Sequence, residues 1–433
     1  MFGTSGIRGV YGKDVTEALA QRIASIFAEG RLVIGRDIRG SGPSLLKAVS
    51  AGAMDAGSDA IDLGIVPTPT VALATRLHGC RGIALTASHN PPEYNGLKLI
   101  EGSKEIGKAL EKEITGRYGQ GSVPKSAARG SFLHDRTILD EHRRLVIGMV
   151  DADAIAKKRP KVIVDCNGAG CVITPYLLSD LGCRVISVNG STACFNRPSE
   201  PNAANLAYLS SFVRGTGADF AIAHDGDGDR CVVLDEAGAA LPFDAQLAMM
   251  IEHELEGGDG KGIVSTVEAS LTVRDAVERK GGKIEITPVG STYVADMMEE
   301  RGSLFGGEPC GEYIYRDGVH VPDAVLAAAK FAEMFCLKGR FSAQKARFPQ
   351  NFMARERFPS KDKKGAVERI RGRLDIDGVV RSDDGVRVDE EDGWFLIRAS
   401  GTEPIVRLTM EYKDRKKLEE RKARLVSLIK SSL

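Results

Sequence analysis

The sequence predicts an α/β protein in which three related α/β units follow one another and a smaller α+β domain closes the chain. Three observations carry that expectation. β-branched apolar runs alternate with helical spacings at the start, the alternation restarts after residues 157–160 and again after 257–260, and from about residue 348 the chain becomes rich in Arg and Lys with short strand-like runs. The expected divisions are 1–150, 151–243, 244–345 and 346–433.

In the first unit, apolar residues at helical spacing predict a helix over 15–29, Leu32-Val33-Ile34 a short buried strand, and 45–54 a second helix. A strand over 60–65, a helix opened by Pro67-Thr68-Pro69 and a strand over 82–86 continue a βαβ pattern, whose strand ends are natural site positions. The pattern returns at Val162-Ile163-Val164-Asp165, after Lys157-Lys158-Arg159-Pro160, and at Gly262-Ile263-Val264, after Gly257-Gly258-Asp259-Gly260. The last section has strand-like runs over 393–397 and 405–410. It ends in a charged helix over 416–432 whose Leu418, Leu425, Leu428 and Ile429 suit one apolar face.

Composition excludes several classes. Lys plus Arg and Asp plus Glu both number 59, so no global field points to nucleic acid or an acidic membrane, and any anion site is local. No apolar run reaches the roughly 20 residues of a membrane span, and the chain opens into Phe2-Gly3-Thr4-Ser5 without a leader pattern, so a cytoplasmic protein is expected. The eight cysteines form no Cys-x-x-Cys pair; Cys166, Cys183 and Cys231 sit in or beside strand-like runs and read as buried thiols rather than disulfides or zinc ligands.

The run Phe220-Ala221-Ile222-Ala223 ends in His224-Asp225-Gly226-Asp227-Gly228-Asp229-Arg230. Three carboxylates separated by glycines suit a hard cation such as Mg²⁺, because glycine lets a tight loop turn all three inward, and Arg230 adds a phosphate partner. A solvated turn and a calcium loop are the rivals. Against calcium, Arg230 stands where that loop needs glycine and Cys231-Val232-Val233-Leu234 reads as a strand.

Four further loops carry candidate chemistry. Thr86-Ala87-Ser88-His89-Asn90-Pro91-Pro92 sets a serine in a proline-stiffened loop after a strand, either a nucleophile or a turn cap. Gly3-Thr4-Ser5-Gly6-Ile7-Arg8-Gly9 is a phosphate cradle or a flexible terminus. Arg398-Ala399-Ser400-Gly401-Thr402-Glu403-Pro404, with Arg407 close behind, groups arginines and hydroxyls at a turn and favours phosphate. Gly307-Glu308-Pro309-Cys310-Gly311-Glu312 offers groups for sugar hydroxyls, with an unliganded acidic turn as the alternative.

In this order, spread from Phe2 to Arg407, the five loops resemble those of the α-D-phosphohexomutase family, which includes phosphoglucomutase, phosphomannomutase and phosphoglucosamine mutase. The resemblance implies three α/β domains and a TATA-box-protein-like C-terminal domain around a central cleft. It implies that Ser88 is a phosphoserine whose phosphate joins Asp225, Asp227 and Asp229 around one Mg²⁺, that Arg8 and Arg230 flank the transferring phosphoryl, and that Lys98 moves a proton. Glu308 and Cys310 would bind sugar hydroxyls, and Arg398, Ser400, Gly401, Thr402 and Arg407 the phosphate that is not reacting. A hexose or hexosamine 1,6-bisphosphate would serve as intermediate and activator; the partner is a small sugar phosphate, and the expected state is a monomer or homodimer. Such chemistry rests on positioning and charge neutralisation, and turning the intermediate around asks for a distal site that a mobile terminal domain can open and close.

Two departures bear on the sugar. Glu312 replaces a histidine found in many relatives, and Ser291 stands where some carry histidine or aspartate; His320 is a candidate to compensate, with a structural role as its alternative. The Glu-Pro-Cys-Gly loop resembles that of archaeal phosphoglucosamine mutases, and the Glu312 carboxylate suits a 2-ammonium group better than a 2-hydroxyl. The expected activity is therefore interconversion of glucosamine 6-phosphate and glucosamine 1-phosphate. A broad phosphoglucomutase/phosphomannomutase, a metal-dependent phosphatase and a silent sugar-phosphate sensor are the alternatives.

Overall fold

Strands of alternating or continuous apolar character need a covered sheet, and the described residues build four of them. The computed structural model describes residues 1–3, 5–121, 124–256, 262–374, 378–401 and 403–433. In the first sheet, Arg81–Leu85, Arg31–Arg36 and Asp59–Ile65 lie parallel in that spatial order, and Tyr94–Glu101 returns antiparallel beside Arg81–Leu85. Ile7–Val10 extends this sheet on one side and Phe132–His134 on the other.

The second sheet repeats the order: Cys231–Leu234 antiparallel to Phe220–His224, then Lys161–Asp165 and Arg184–Val188 in parallel. The third repeats it again, with Glu312–Tyr315 antiparallel to Phe305–Glu308, followed by Ile263–Thr266 and Ile284–Thr287. One topology three times accounts for the restarts seen in the sequence. It also puts the link between the last parallel strand and its antiparallel partner at an equivalent place in each unit, at the carboxyl ends of the parallel strands where α/β sheets bind ligands. Those three links carry Ser88, the 225–230 carboxylates and Pro309-Cys310-Gly311. The glycine-rich 257–260 stretch, read as a boundary, lies outside the described residues.

The expected first helix is Glu17–Phe27, capped by the Thr16 side chain, and the second is Gly42–Asp55. The helix Ala324–Lys338 is buried almost all round because it is wedged between the second and third units, whose apolar residues form one continuous core. Cys166, Cys183 and Cys231 lie in that core as free thiols.

The C-terminal domain is a five-stranded antiparallel sheet in the order Phe352–Pro359, Ile405–Tyr412, Gly393–Ala399, Val386–Glu390 and Val379–Arg381. Helices Lys363–Arg371 and Arg415–Lys430 cover one face. In the terminal helix Leu418, Leu425 and Ile429 are buried as the spacing predicts, with Leu428 at the rim. The other face docks on the third unit: Trp394 and Leu396 join its core, and Glu411 accepts from both the Trp394 indole at 2.7 Å and the Leu271 backbone at 2.8 Å. Among the described residues no helix is long and apolar enough to cross a membrane.

Candidate active site

Strand Arg81–Leu85 delivers Ser88 in a left-handed conformation, φ +48°, which costs a serine about 1–3 kcal/mol and persists only where the surroundings over-determine it. Arg39 does so. It is fully buried, its Nε donates to Asp37 Oδ2 at 2.9 Å, Nη2 donates to the carbonyls of Ser88 and Asn90 at 2.8 Å each, and Nη1 to those of Pro91 and Tyr94 at 2.5 and 2.8 Å. All five guanidinium protons are spent inside the protein. Bonds from a charged donor contribute about 1.5–3 kcal/mol each, so the staple outweighs the strain. Thr86 completes the frame: its hydroxyl donates to Asp37 Oδ2 at 2.7 Å and accepts from the Ser88 backbone at 2.9 Å.

The second unit brings its carboxylates to this loop. Ser88 Oγ donates to Asp225 Oδ2 at 2.7 Å, 137 residues away, and Ser199 Oγ donates to the Ser88 carbonyl at 2.9 Å. The glycines between the carboxylates are required for two reasons. A Cβ on Gly226 would lie 2.7 Å from the Ser88 carbonyl oxygen, and Gly228 has φ +66°.

Asp225, Asp227 and Asp229 are buried with one oxygen of each within 4.8 Å of the others. Asp225 Oδ1 accepts from the backbones of Asp229 and Arg230. Lys98 Nζ lies 2.6 Å from Asp229 Oδ2 and 2.9 Å from Asp227 Oδ2, which also accepts from Thr68 at 2.6 Å. Oδ1 of Asp227 and Oδ1 of Asp229 are buried with no hydrogen-bond partner. Two orphaned anionic oxygens beside a third carboxylate fit a hard divalent cation, since leaving such oxygens dry and unpaired is costly.

The local charges are strongly coupled. Burial, then Asp229 and Asp227, pushes the Asp225 carboxyl well above the usual carboxylate range. Burial also works against Asp229, but Lys98 and Arg230 hold it below that range. Burial opposes the Lys98 ammonium, yet Asp227, Asp229 and Glu105 outweigh it and keep the lysine charged. His89, whose Nδ1 is 3.3 Å from Ser88 Oγ, is pulled down to about 3 by burial and by Arg230 and Arg8, so its imidazole is neutral at pH 7.

Arg8 arrives on strand Ile7–Val10, opposite Gly96, and its Nη2 donates to Ser5 Oγ at 3.0 Å; the Ser5 hydroxyl in turn faces Glu105 at 2.8 and 2.9 Å. The N-terminal loop is thus tied to the lysine cluster rather than loose. Arg230 bridges to the third unit. Its backbone pairs with that of Glu312, and its Nε and Nη2 lie 3.1 and 3.0 Å from Glu312 Oε1. Glu312, expected as a sugar-facing carboxylate, is therefore first of all the anchor of Arg230.

Glu308 sits directly across the hairpin from Glu312 and accepts from the Gly290 backbone at 3.2 Å, where helix Ser291–Arg301 begins. Burial, then Glu312, holds the Glu308 carboxyl well above its usual value; burial raises Glu312 too, with Arg230 opposing. Cys310 beside them is a neutral thiol, raised by burial and then by Glu312. His320 lies elsewhere, with its backbone bonded to the Ser103 carbonyl between the first and third units.

The C-terminal loop reaches the same region. Arg398 pairs with Asp384 at 3.0 Å and with Glu268 of the third unit at 3.2 Å, and Asp384 also accepts from the Val289 backbone, next to Gly290. Arg407 is directly opposite Arg398 and binds Glu403 at 2.6 Å. Ser400 Oγ accepts from the Glu403 backbone at 3.2 Å, Gly401 is exposed at the turn, and Lys363 Nζ ties the carbonyls of Ser400 and Glu403 at 2.5 and 3.0 Å. Thr402 lies outside the described residues.

The sequence reading passed over Asp37, Arg39, Thr68, Glu105 and Lys363. The one available signal was Asp37-Ile38-Arg39 just past a buried strand, and opposite charges two residues apart are equally compatible with an ordinary solvated turn.

Family models match along the chain: phosphoglucomutase/phosphomannomutase α/β/α domain I over residues 1–123, domain II over 140–238, domain III over 242–352 and the C-terminal domain over 353–428. A probable phosphoglucosamine mutase of Methanosarcina acetivorans is 39% identical, over 96% of each chain. The chain belongs to the phosphoglucomutase/phosphomannomutase family.

This phosphohexomutase is also 36% identical to a phosphoglucomutase/phosphomannomutase of Thermococcus kodakarensis, over 97% of this chain and 96% of the relative. Its fold matches a family protein of Burkholderia thailandensis with TM-score 0.89 and 26% identity, over 99% and 97% of the two chains. A more distant fold match, TM-score 0.65 at 15% identity over 100% and 95% of the chains, is an Aspergillus fumigatus N-acetylphosphoglucosamine mutase solved with GlcNAc-6P and magnesium.

Proposed function

We propose that this phosphohexomutase interconverts glucosamine 6-phosphate and glucosamine 1-phosphate through a phosphoserine at Ser88 and a bound glucosamine 1,6-bisphosphate. The observation that carries the phosphoserine is the Ser88 hydroxyl, held 2.7 Å from Asp225 in a backbone conformation stapled by Arg39. A phosphorylated Ser88 would bring about two further negative charges to three buried carboxylates, and only a cation makes that tolerable. Asp225, Asp227 and Asp229 would hold Mg²⁺, with the phosphoserine as a further ligand; when bound it supplies charge neutralisation at the phosphoryl oxygens.

In the transfer, a sugar hydroxyl oxygen forms a bond to phosphorus as the bond from phosphorus to Ser88 Oγ breaks. Lys98, charged in the resting site, would give a proton to Ser88 Oγ as that oxygen leaves phosphorus and then take up the proton released by the sugar hydroxyl, so protons balance and the ammonium is restored. Arg8 and Arg230 would neutralise the moving phosphoryl, while Arg398, Arg407 and the Ser400–Thr402 turn hold the other phosphate. Each half-cycle presents the opposite end of the sugar to Ser88, and the bisphosphate also restores phosphate to an enzyme that has lost it.

The amino sugar rests on a second observation. Glu308 and Glu312 stand opposite each other in the hairpin, both carry carboxyls raised by burial, and only Glu312 is paired with an arginine, Arg230. A 2-ammonium group would relieve that excess of negative charge, which a 2-hydroxyl would not. The deciding experiment compares kcat/KM for glucosamine, glucose and mannose 6-phosphates with Mg²⁺ and the matching 1,6-bisphosphates. The proposal predicts glucosamine 6-phosphate well ahead; equal values would replace it with a broad phosphoglucomutase/phosphomannomutase.

A further inference from the structure

The C-terminal sheet sets three arginines in one row. Arg357 on Phe352–Pro359 is in register with Arg407, and Arg407 is in register with Arg398. Residues directly opposite in an antiparallel sheet share a face. The preceding or following residues Phe358, Val406 and Ala399 turn to the helix-covered core, so the arginines lie on the other face, the one that carries Trp394 and Leu396 against the third unit.

Like charges directly opposite destabilise a sheet. Arg398 answers this with Asp384 and Glu268, and Arg407 with Glu403. Arg357 is exposed and has no ion pair among the described residues, while Nε of Arg398 and Nε of Arg407 are buried without a partner. The row therefore has donors and positive charge left over on the face of the sheet that meets the third unit.

We propose that Arg357 is a third phosphate-binding arginine of the distal site, gripping the phosphate of the sugar that is not being transferred. The inference rests on the mutase reading above and adds to it a residue outside the recognised loops. A phosphate monoester dianion has three terminal oxygens, each able to accept more than one hydrogen bond, so it has acceptor capacity for a third arginine beside Arg398, Arg407 and the Ser400–Thr402 turn. Arg357 gives up no ion pair when the phosphate arrives, so its full charge goes into binding.

The test uses the full chain with Ser88→Ala, which binds without turnover, titrated calorimetrically with glucosamine 6-phosphate and with glucose 6-phosphate. Arg357→Gln is expected to weaken both by about tenfold, the effect of one lost charged hydrogen-bond donor, and Arg357→Lys by less. With Ser88 intact, Arg357→Gln is expected to raise KM in the same proportion and leave kcat within about threefold. Binding unchanged in Arg357→Gln but weakened in Arg398→Gln would overturn the role of Arg357 alone. Binding unchanged in both would overturn the distal phosphate site itself.

Discussion

The two ends of the cleft hold charge in opposite ways. At Ser88 two cations are committed inside the protein: Arg39 spends every proton on Asp37 and loop carbonyls, and Lys98 is locked between Asp227 and Asp229. At the C-terminal sheet the cations are held by acids that an anion can displace, Glu268, Asp384 and Glu403, and Arg357 has no ion pair among the described residues. A place where bonds to phosphorus form and break gains from fixed geometry, because small misplacements are expensive in rate. A place that must accept either end of a sugar phosphate gains from contacts that can be exchanged.

The comparison breaks most visibly at the carboxylates. Asp227→Asn is expected to lower kcat by about 10²–10³-fold while calorimetric sugar-phosphate binding changes little, since it removes charge needed only at the reacting end. Added Mg²⁺ is expected to raise the Tm of the parent protein, and the same substitution should abolish that rise, a readout independent of activity. A binding loss equal to the rate loss would contradict the division of labour.

Next is Arg39→Lys, which keeps a charge but cannot reach four carbonyls and Asp37 together. It should lower kcat by about ten- to a hundredfold with KM nearly unchanged, and lower Tm, because buried carbonyls lose partners at about 1–3 kcal/mol each. Arg398→Gln should give the mirror image at the exchangeable end, with KM up by about tenfold and kcat little changed. Steady-state kinetics on all three proteins separate the two patterns.

The smallest effect expected is at Glu312. Because it anchors Arg230, Glu312→Gln should slow both glucosamine 6-phosphate and glucose 6-phosphate, with a further loss of a few-fold on the amino sugar. Equal losses would mean that Glu312 serves only Arg230.

What was legible in the sequence follows from locality. The strand-helix alternation and the five loops are contiguous runs, so apolar spacing and glycine placement revealed them. The edge strand Phe352–Pro359 was missed because Arg355, Glu356 and Arg357 interrupt any apolar alternation; one of its faces carries arginines. Arg39 was missed because its meaning lies in carbonyls 49 to 55 residues away, and the pairing of Glu312 with Arg230 was not foreseen because the two are 82 residues apart. Single charges reveal their purpose only when the sheets bring their partners together.

The most direct test is to incubate dephosphorylated protein with Mg²⁺ and glucosamine 1,6-bisphosphate, then locate any acquired phosphate by intact-mass and peptide analysis. The account predicts one phosphoryl group on Ser88, discharged by added glucosamine 6-phosphate and absent from Ser88→Ala. Phosphate on another residue, or turnover in Ser88→Ala, would contradict it.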